Sequence, residues 1–172
     1  MDFKDIVRAA LDEYMGDLRD ALKGLTAEER RYQPNPHSHH IDFVVWHMAR
    51  VEDDWIQRFA QRTDSVWQRE GWFERLGMPE RDGGFGYTVE QVAGLPAFEI
   101  EQMLGYYDAV RRETLRYLDG LSEGDLESTP HPERRPGYTV AKMLAHVIVE
   151  ESQHVGQAAY LRGVQRGLNS QD

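Results

Sequence analysis

Apolar side chains recur at three- and four-residue intervals along four stretches of this chain, and each stretch predicts an amphipathic helix. Phe3 to Leu25 sets Phe3, Val7, Ala10, Tyr14, Leu18, Ala21 and Leu25 in a four-three pattern of about six turns. From about His40 to Arg62, one broad face carries Ile41, Val44, Val45, Met48, Val51, Trp55, Ile56 and Phe59. Phe98 to Leu121 turns Ile100, Leu104, Tyr107, Val110, Leu118 and Leu121 inward. Thr139 to Gly163 places Met143, Val147, Ala158 and Leu161 on one stripe, with Val140, Leu144 and Val155 beside it. Four helices with one apolar face each bury those faces against one another, so the pattern predicts an all-α four-helix bundle in a single domain spanning 1–172.

The segments between are irregular. Thr26 to Glu29 has the S/T-x-x-E form of a capping box and predicts a short helical turn. Gln33 to Ser38 and Thr129 to Gly137 are proline-broken loops. From Thr63 to Pro96 the periodicity weakens among glycines at 71, 77, 83, 84, 86 and 94, with one short helix expected over Ser65 to Leu76. A connection this long has two readings: it carries the chain back along the bundle so that its flanking helices run parallel, or it folds over a site as a lid. No run of β-branched or aromatic residues bounded by turns falls outside the helices, so strands are not expected.

Composition narrows the function more than the fold. The 172 residues contain no cysteine, which excludes disulfides, thiolate metal sites and cysteine nucleophiles. A net charge of -10 with no basic run argues against a nucleic-acid partner. No apolar run nears the roughly 20 residues that span a bilayer, and the charged N-terminus is not a signal peptide. A cytoplasmic protein acting on a small molecule, with no nucleic-acid or membrane partner, is the expectation. Aromatics in the long connection admit a homodimer.

The chemistry concentrates on the last helix. His154 lies in its apolar stripe and Glu150 one turn earlier, so both side chains reach one ion from the same face. His47, at the border of the second helix's apolar face, is the third candidate. A carboxylate and imidazoles beside a core are costly unless something satisfies them, and a divalent metal satisfies all three. Two histidines and a carboxylate without cysteine leave coordination positions open, the composition of a catalytic zinc site or of a site for another divalent ion. On a helical wheel Glu151 sits nearer the middle of the stripe than Glu150, so periodicity does not choose between them. His146 falls at the rim of the site, and Gln157 is placed to orient His154. His37, His39, His40 and His131 are read as solvated.

The segments VVWHMARVEDDWIQRF and HVIVEESQHVGQAAYLRG together resemble the DinB/YfiT-like superfamily of metalloenzymes. The resemblance covers almost the whole chain and implies an up-down-down-up bundle with a long connection between its second and third helices. It places the three ligands on His47, Glu150 and His154, favouring Glu150 over Glu151, although histidine is commoner at that position. It implies a divalent cofactor, Zn²⁺ first and Ni²⁺ second, and metal-dependent transfer of a low-molecular-weight thiol to an electrophile in a pocket lined by Trp46, Trp55 and the connection. Glu151 or His146 is the expected general base, and Arg50 or Arg162 the expected partner of an anionic cofactor group. A metal-dependent hydrolase and a non-catalytic metal-binding, stress-associated bundle are the competing classes.

Overall fold

The computed structural model describes residues 2–167, all of them helical or irregular, with no strand among them. Four long helices make the bundle, and six shorter turns join or extend them. Helix α1 (Phe3–Leu22) starts on a capping box between Asp2 and Asp5. Helix α2 (Ala27–Arg30) starts on the expected box between Thr26 and Glu29. Helix α3 (Ile41–Asp53) continues into a π-helical segment, Asp54–Ala60. Three short helices follow in the connection: α4 (Val66–Arg69), α5 (Trp72–Arg75) and α6 (Val89–Ala93). The last two long helices are α7 (Ile100–Gly120) and α8 (Val140–Arg166), with a 3₁₀ turn at Glu123–Glu127 between them.

Cross-helix contacts fix the directions. Arg8 pairs with Asp119 and Arg19 with Asp108, so α1 and α7 are antiparallel. Arg162 donates to the carbonyls of Ala21 and Lys23, and Phe3 and Val7 pack near Val140 and Leu144, so α1 and α8 are parallel. Arg50 meets Tyr106 and Glu52 meets Arg111, so α3 and α7 are parallel. Trp55 meets His146 and Phe59 meets Tyr138, which runs α3 against α8. In chain order the four helices go up, down, down and up.

The pattern of α3 under-read its burial. Every residue from Ile41 to Arg50 is buried, not one face alone. The connection accounts for the difference, because it folds onto the side of α3 that the other helices leave bare. Trp67 packs against Trp46 and Tyr106, and Tyr87 against Phe43 and Trp46. Trp46 and Trp67 are both fully buried, which contributes about 4–6 kcal/mol each at ~25 cal/mol per Å². The Asp53 carboxylate accepts the amides of Val66 and Trp67 at 2.8 and 2.9 Å, fastening the first turn of α4 to α3. The short helix expected over Ser65 to Leu76 is broken in two at Gly71, which adopts φ +64°. With Trp67 inside and Trp72 and Phe73 half-buried, the aromatics that admitted a homodimer reduce to Phe85, 96% exposed.

Candidate metal centre and its pocket

Helix α3 carries His47 and α8 carries Glu150 and His154 to one point between the antiparallel pair. One ligand atom from each lies within 4.8 Å of the other two. Nε2 of His154 is 3.3 Å from Glu150 Oε1, and Nε2 of His47 is 4.0 Å from the same oxygen. The far nitrogens are held by acceptors. His47 Nδ1 donates to the Gly83 carbonyl at 2.5 Å, and His154 Nδ1 meets Gln157 Oε1 at 3.0 Å. The Gly83 carbonyl can only accept, so His47 carries its proton on Nδ1 and turns the Nε2 lone pair inward. Burial lowers the pKa of His47 and favours the neutral form that ligation requires. Two imidazole nitrogens and a carboxylate oxygen aimed at one point are the donor types and the spacing that a divalent cation takes. The donor set therefore fits a divalent metal.

The connection forms one wall. Gly84, at φ +76°, lies so close to the site that a Cβ there would sit 2.7 Å from Trp46, 3.1 Å from Phe43 and 3.2 Å from His47 Nδ1. Only glycine lets the backbone pass here and present the preceding carbonyl to the imidazole. The connection thus does both things its length suggested: it returns the chain for a parallel α7, and it covers the site.

A pocket of about 490 Å³ opens beside the ligands, lined by His47, Glu150, His146, Trp55, Phe59 and Arg135, with Arg50, Val51, Asp54, Gly83 and Phe85 completing its walls. The π-helical segment supplies Asp54, Trp55 and Phe59 to it; such segments insert an extra residue per turn and are frequent at functional sites. His146 reaches the pocket, its ring 4.9 Å from that of Trp55.

Other expected residues go elsewhere. Glu151 does not line the pocket: it is fully buried in the bundle, accepting from the Tyr107 hydroxyl at 2.5 Å, and burial followed by the nearby Glu52 pushes its carboxyl well above the usual range. A base needs reach as well as basicity, so the structure removes Glu151 from that role. Trp46 is wholly interior, behind Gly84, and does not line the pocket either. Arg50 borders it, but its guanidinium is committed to Asp53, Asp54, Tyr106 and the Asp82 carbonyl. Arg162 holds the end of α1 far along the bundle. His40, expected to be solvated, is 1% exposed: Nδ1 caps α3 by accepting from Phe43 N, and Nε2 donates to the Val92 carbonyl. The residue that sequence reasoning missed is Arg135, whose proline-broken loop carries no periodic signal.

A family model described as mycothiol-S-transferase matches residues 6–167. Among solved structures, one described as a conserved protein of locus from Enterococcus faecalis is 25% identical, covers 95% of this chain and 97% of its own, and superposes with a TM-score of 0.86. No curated protein gives a significant match.

Proposed function

The chain belongs to the mycothiol-S-transferase family, a DinB/YfiT-like family, and from that premise we propose that it transfers a low-molecular-weight thiol to an electrophilic carbon, with a divalent metal as cofactor. The observation that carries the reading is the convergence of His47, Glu150 and His154, the first two of which line an open pocket.

His47 and His154 would hold the ion through Nε2 and Glu150 through a carboxylate oxygen. This set, free of thiolate, suits Zn²⁺ and also Ni²⁺. A bound divalent cation supplies positive charge that keeps a thiol ionised near neutral pH. The chain's own groups do the rest. Gly83 and Gln157 fix the two imidazoles, so the ligand atoms are aimed before anything binds. His146 takes the thiol proton at the pocket wall. Val51, Trp55 and Phe59 give an apolar surface that excludes water from the attacking sulfur and holds the electrophile. In balance, the thiol loses its proton, a carbon–sulfur bond forms, and the leaving group departs with its bonding pair.

The test is conjugation of monochlorobimane by the metal-restored protein with mycothiol, bacillithiol or glutathione. The expected result is thiol-dependent fluorescence that EDTA abolishes and metal restores. Turnover of amides or esters without thiol would replace the transferase reading with hydrolysis, and no turnover with any thiol would overturn it.

A further inference from the structure

Arg135, exposed on its proline-broken loop, is one of two arginines that line the pocket. Acidic residues outnumber Lys and Arg by 30 to 20, yet among the described residues no carboxylate lies within ion-pairing distance of the Arg135 guanidinium. Its Cζ lies over the rings of Trp55, 5.1 Å from the centroid, and Tyr138, 5.3 Å away. The acidic groups nearby are committed. Asp54 pairs with Arg50 and Arg58, and Glu133 with His131 and Arg62. The other arginine at the pocket, Arg50, is neutralised by Asp53 and Asp54. Among the described residues lining the pocket, Arg135 is the one guanidinium without a counterion. Held by ring contacts and not by a carboxylate, the Arg135 guanidinium keeps N–H donors for a carboxylate, sulfonate or phosphate, which a guanidinium fork can bind in bidentate fashion.

The surroundings indicate what carries such a group. Trp55 contacts both His146 and Arg135, and all three line the pocket with Glu150, so its ring links the wall beside the carboxylate to the cation. Val51, Phe59 and the exposed Phe85 extend that apolar surface. We infer that this pocket is a subsite for a planar, apolar electrophile bearing an anionic substituent, with its ring against Trp55 and its anion on Arg135, which makes Arg135 a specificity-determining residue. The assignment rests on the transferase reading only in taking the occupant to be the electrophile.

The test begins with binding alone, so that it needs neither thiol nor turnover. Quenching of tryptophan fluorescence in the full chain is titrated with 3,5-dinitrobenzoate and with neutral 1,3-dinitrobenzene. The native protein is expected to prefer the carboxylate by about tenfold, the scale of one charge-assisted pair. In Arg135→Gln that preference falls to within about twofold, and Arg135→Lys keeps part of it, a point charge without the fork. No preference in the native protein, or one that survives Arg135→Gln, overturns the subsite. Turnover is then compared for 4-chloro-3,5-dinitrobenzoate and 2-chloro-1,3-dinitrobenzene. Sulfur bonds to the carbon bearing chlorine, chloride leaves with the bonding pair, and the thiol proton passes to buffer. Failure of all turnover with the binding preference intact sinks the transferase reading and leaves the subsite standing. Turnover with no response of the preference to Arg135→Gln sinks the subsite alone. A raised KM for the thiol in Arg135→Gln, with the preference unchanged, gives Arg135 to the thiol and likewise overturns the assignment.

Discussion

Two clusters of charge are buried within one bundle, and they are finished differently. Between α1, α3 and α7, Arg111 donates to both oxygens of Glu52, to the Tyr14 hydroxyl and to the Leu11 carbonyl, while Tyr14 donates to Glu52. Every charge there meets its opposite. Between α3 and α8, two imidazole nitrogens converge on one carboxylate oxygen, His154 Nε2 at 3.3 Å and His47 Nε2 at 4.0 Å. The Glu52–Arg111 pair is satisfied by the chain's own atoms, whereas the second cluster has the donor set and spacing of a cation site. Buried polarity is thus not one signal: whether the hydrogen-bond ledger closes separates a structural network from a binding site.

That contrast can be broken in four places. Glu52→Ala leaves the Arg111 charge buried and unpaired, and is expected to lower stability by about 3–5 kcal/mol in denaturant melts. A loss under about 1 kcal/mol would mean that the network is not closed as described. At the open cluster, His47→Ala and His154→Ala are expected to weaken metal binding by at least about 100-fold, roughly 3 kcal/mol, with stoichiometric metal lost after gel filtration. Retention of metal by either variant removes that histidine from the site. His40 sharpens the comparison, being a buried histidine with both nitrogens satisfied. Burial lowers its pKa to about 4 despite the hydrogen bond to Val92, against ~6.5 in an unfolded chain. The unfolded state therefore takes up the proton first on acidification. The contribution is complete above about pH 6.5, is lost as pH falls toward 4, and amounts to about 2–3 kcal/mol. His40→Asn, which keeps a capping acceptor, is expected to flatten stability over that window, and an unchanged pH profile would refute the assignment. The smallest effect is expected at Gln157→Ala, which frees the far nitrogen of His154 and costs about tenfold in metal affinity by competition titration.

The bundle was legible because helices advertise themselves locally. Apolar stripes on α1, α7 and α8 come from neighbours three and four apart, and the capping box at Thr26 and the N-cap Thr139 lie next to the helices they start. That Glu150 and His154 lie one turn apart was legible for the same reason, but the preference for Glu150 over Glu151 came from the family resemblance and not from periodicity. Glu151 was a different matter. The wheel placed it in the core, where it is, but burial and chemistry are separate properties, and a side chain held by Tyr107 in the interior does not reach the pocket. What stayed hidden depends on distant parts of the chain meeting. Arg111 and Glu52 are 59 residues apart, and nothing near either residue announces the other. The full burial of α3 depends on a connection without periodicity. The π-helical register that delivers Trp55 and Phe59 leaves the spacing of apolar letters almost unaltered. His40 went unread because caps are usually Ser, Thr, Asp or Asn.

Asp53 stands between His47 and Trp55 on one run of backbone, and its carboxylate anchors the start of the covering segment. Floor and anchor therefore belong to a helix sealed inside the molecule. The stretch around Gly83 to Gly86 is tethered differently, through the imidazole of His47, the Arg50 guanidinium and the Asp82 side chain, outside any helical ladder. Breathing at the mouth can proceed by parting those few tethers while the anchor holds. A small molecule can thus enter and leave on the timescale of a loop, without waiting for helices to separate.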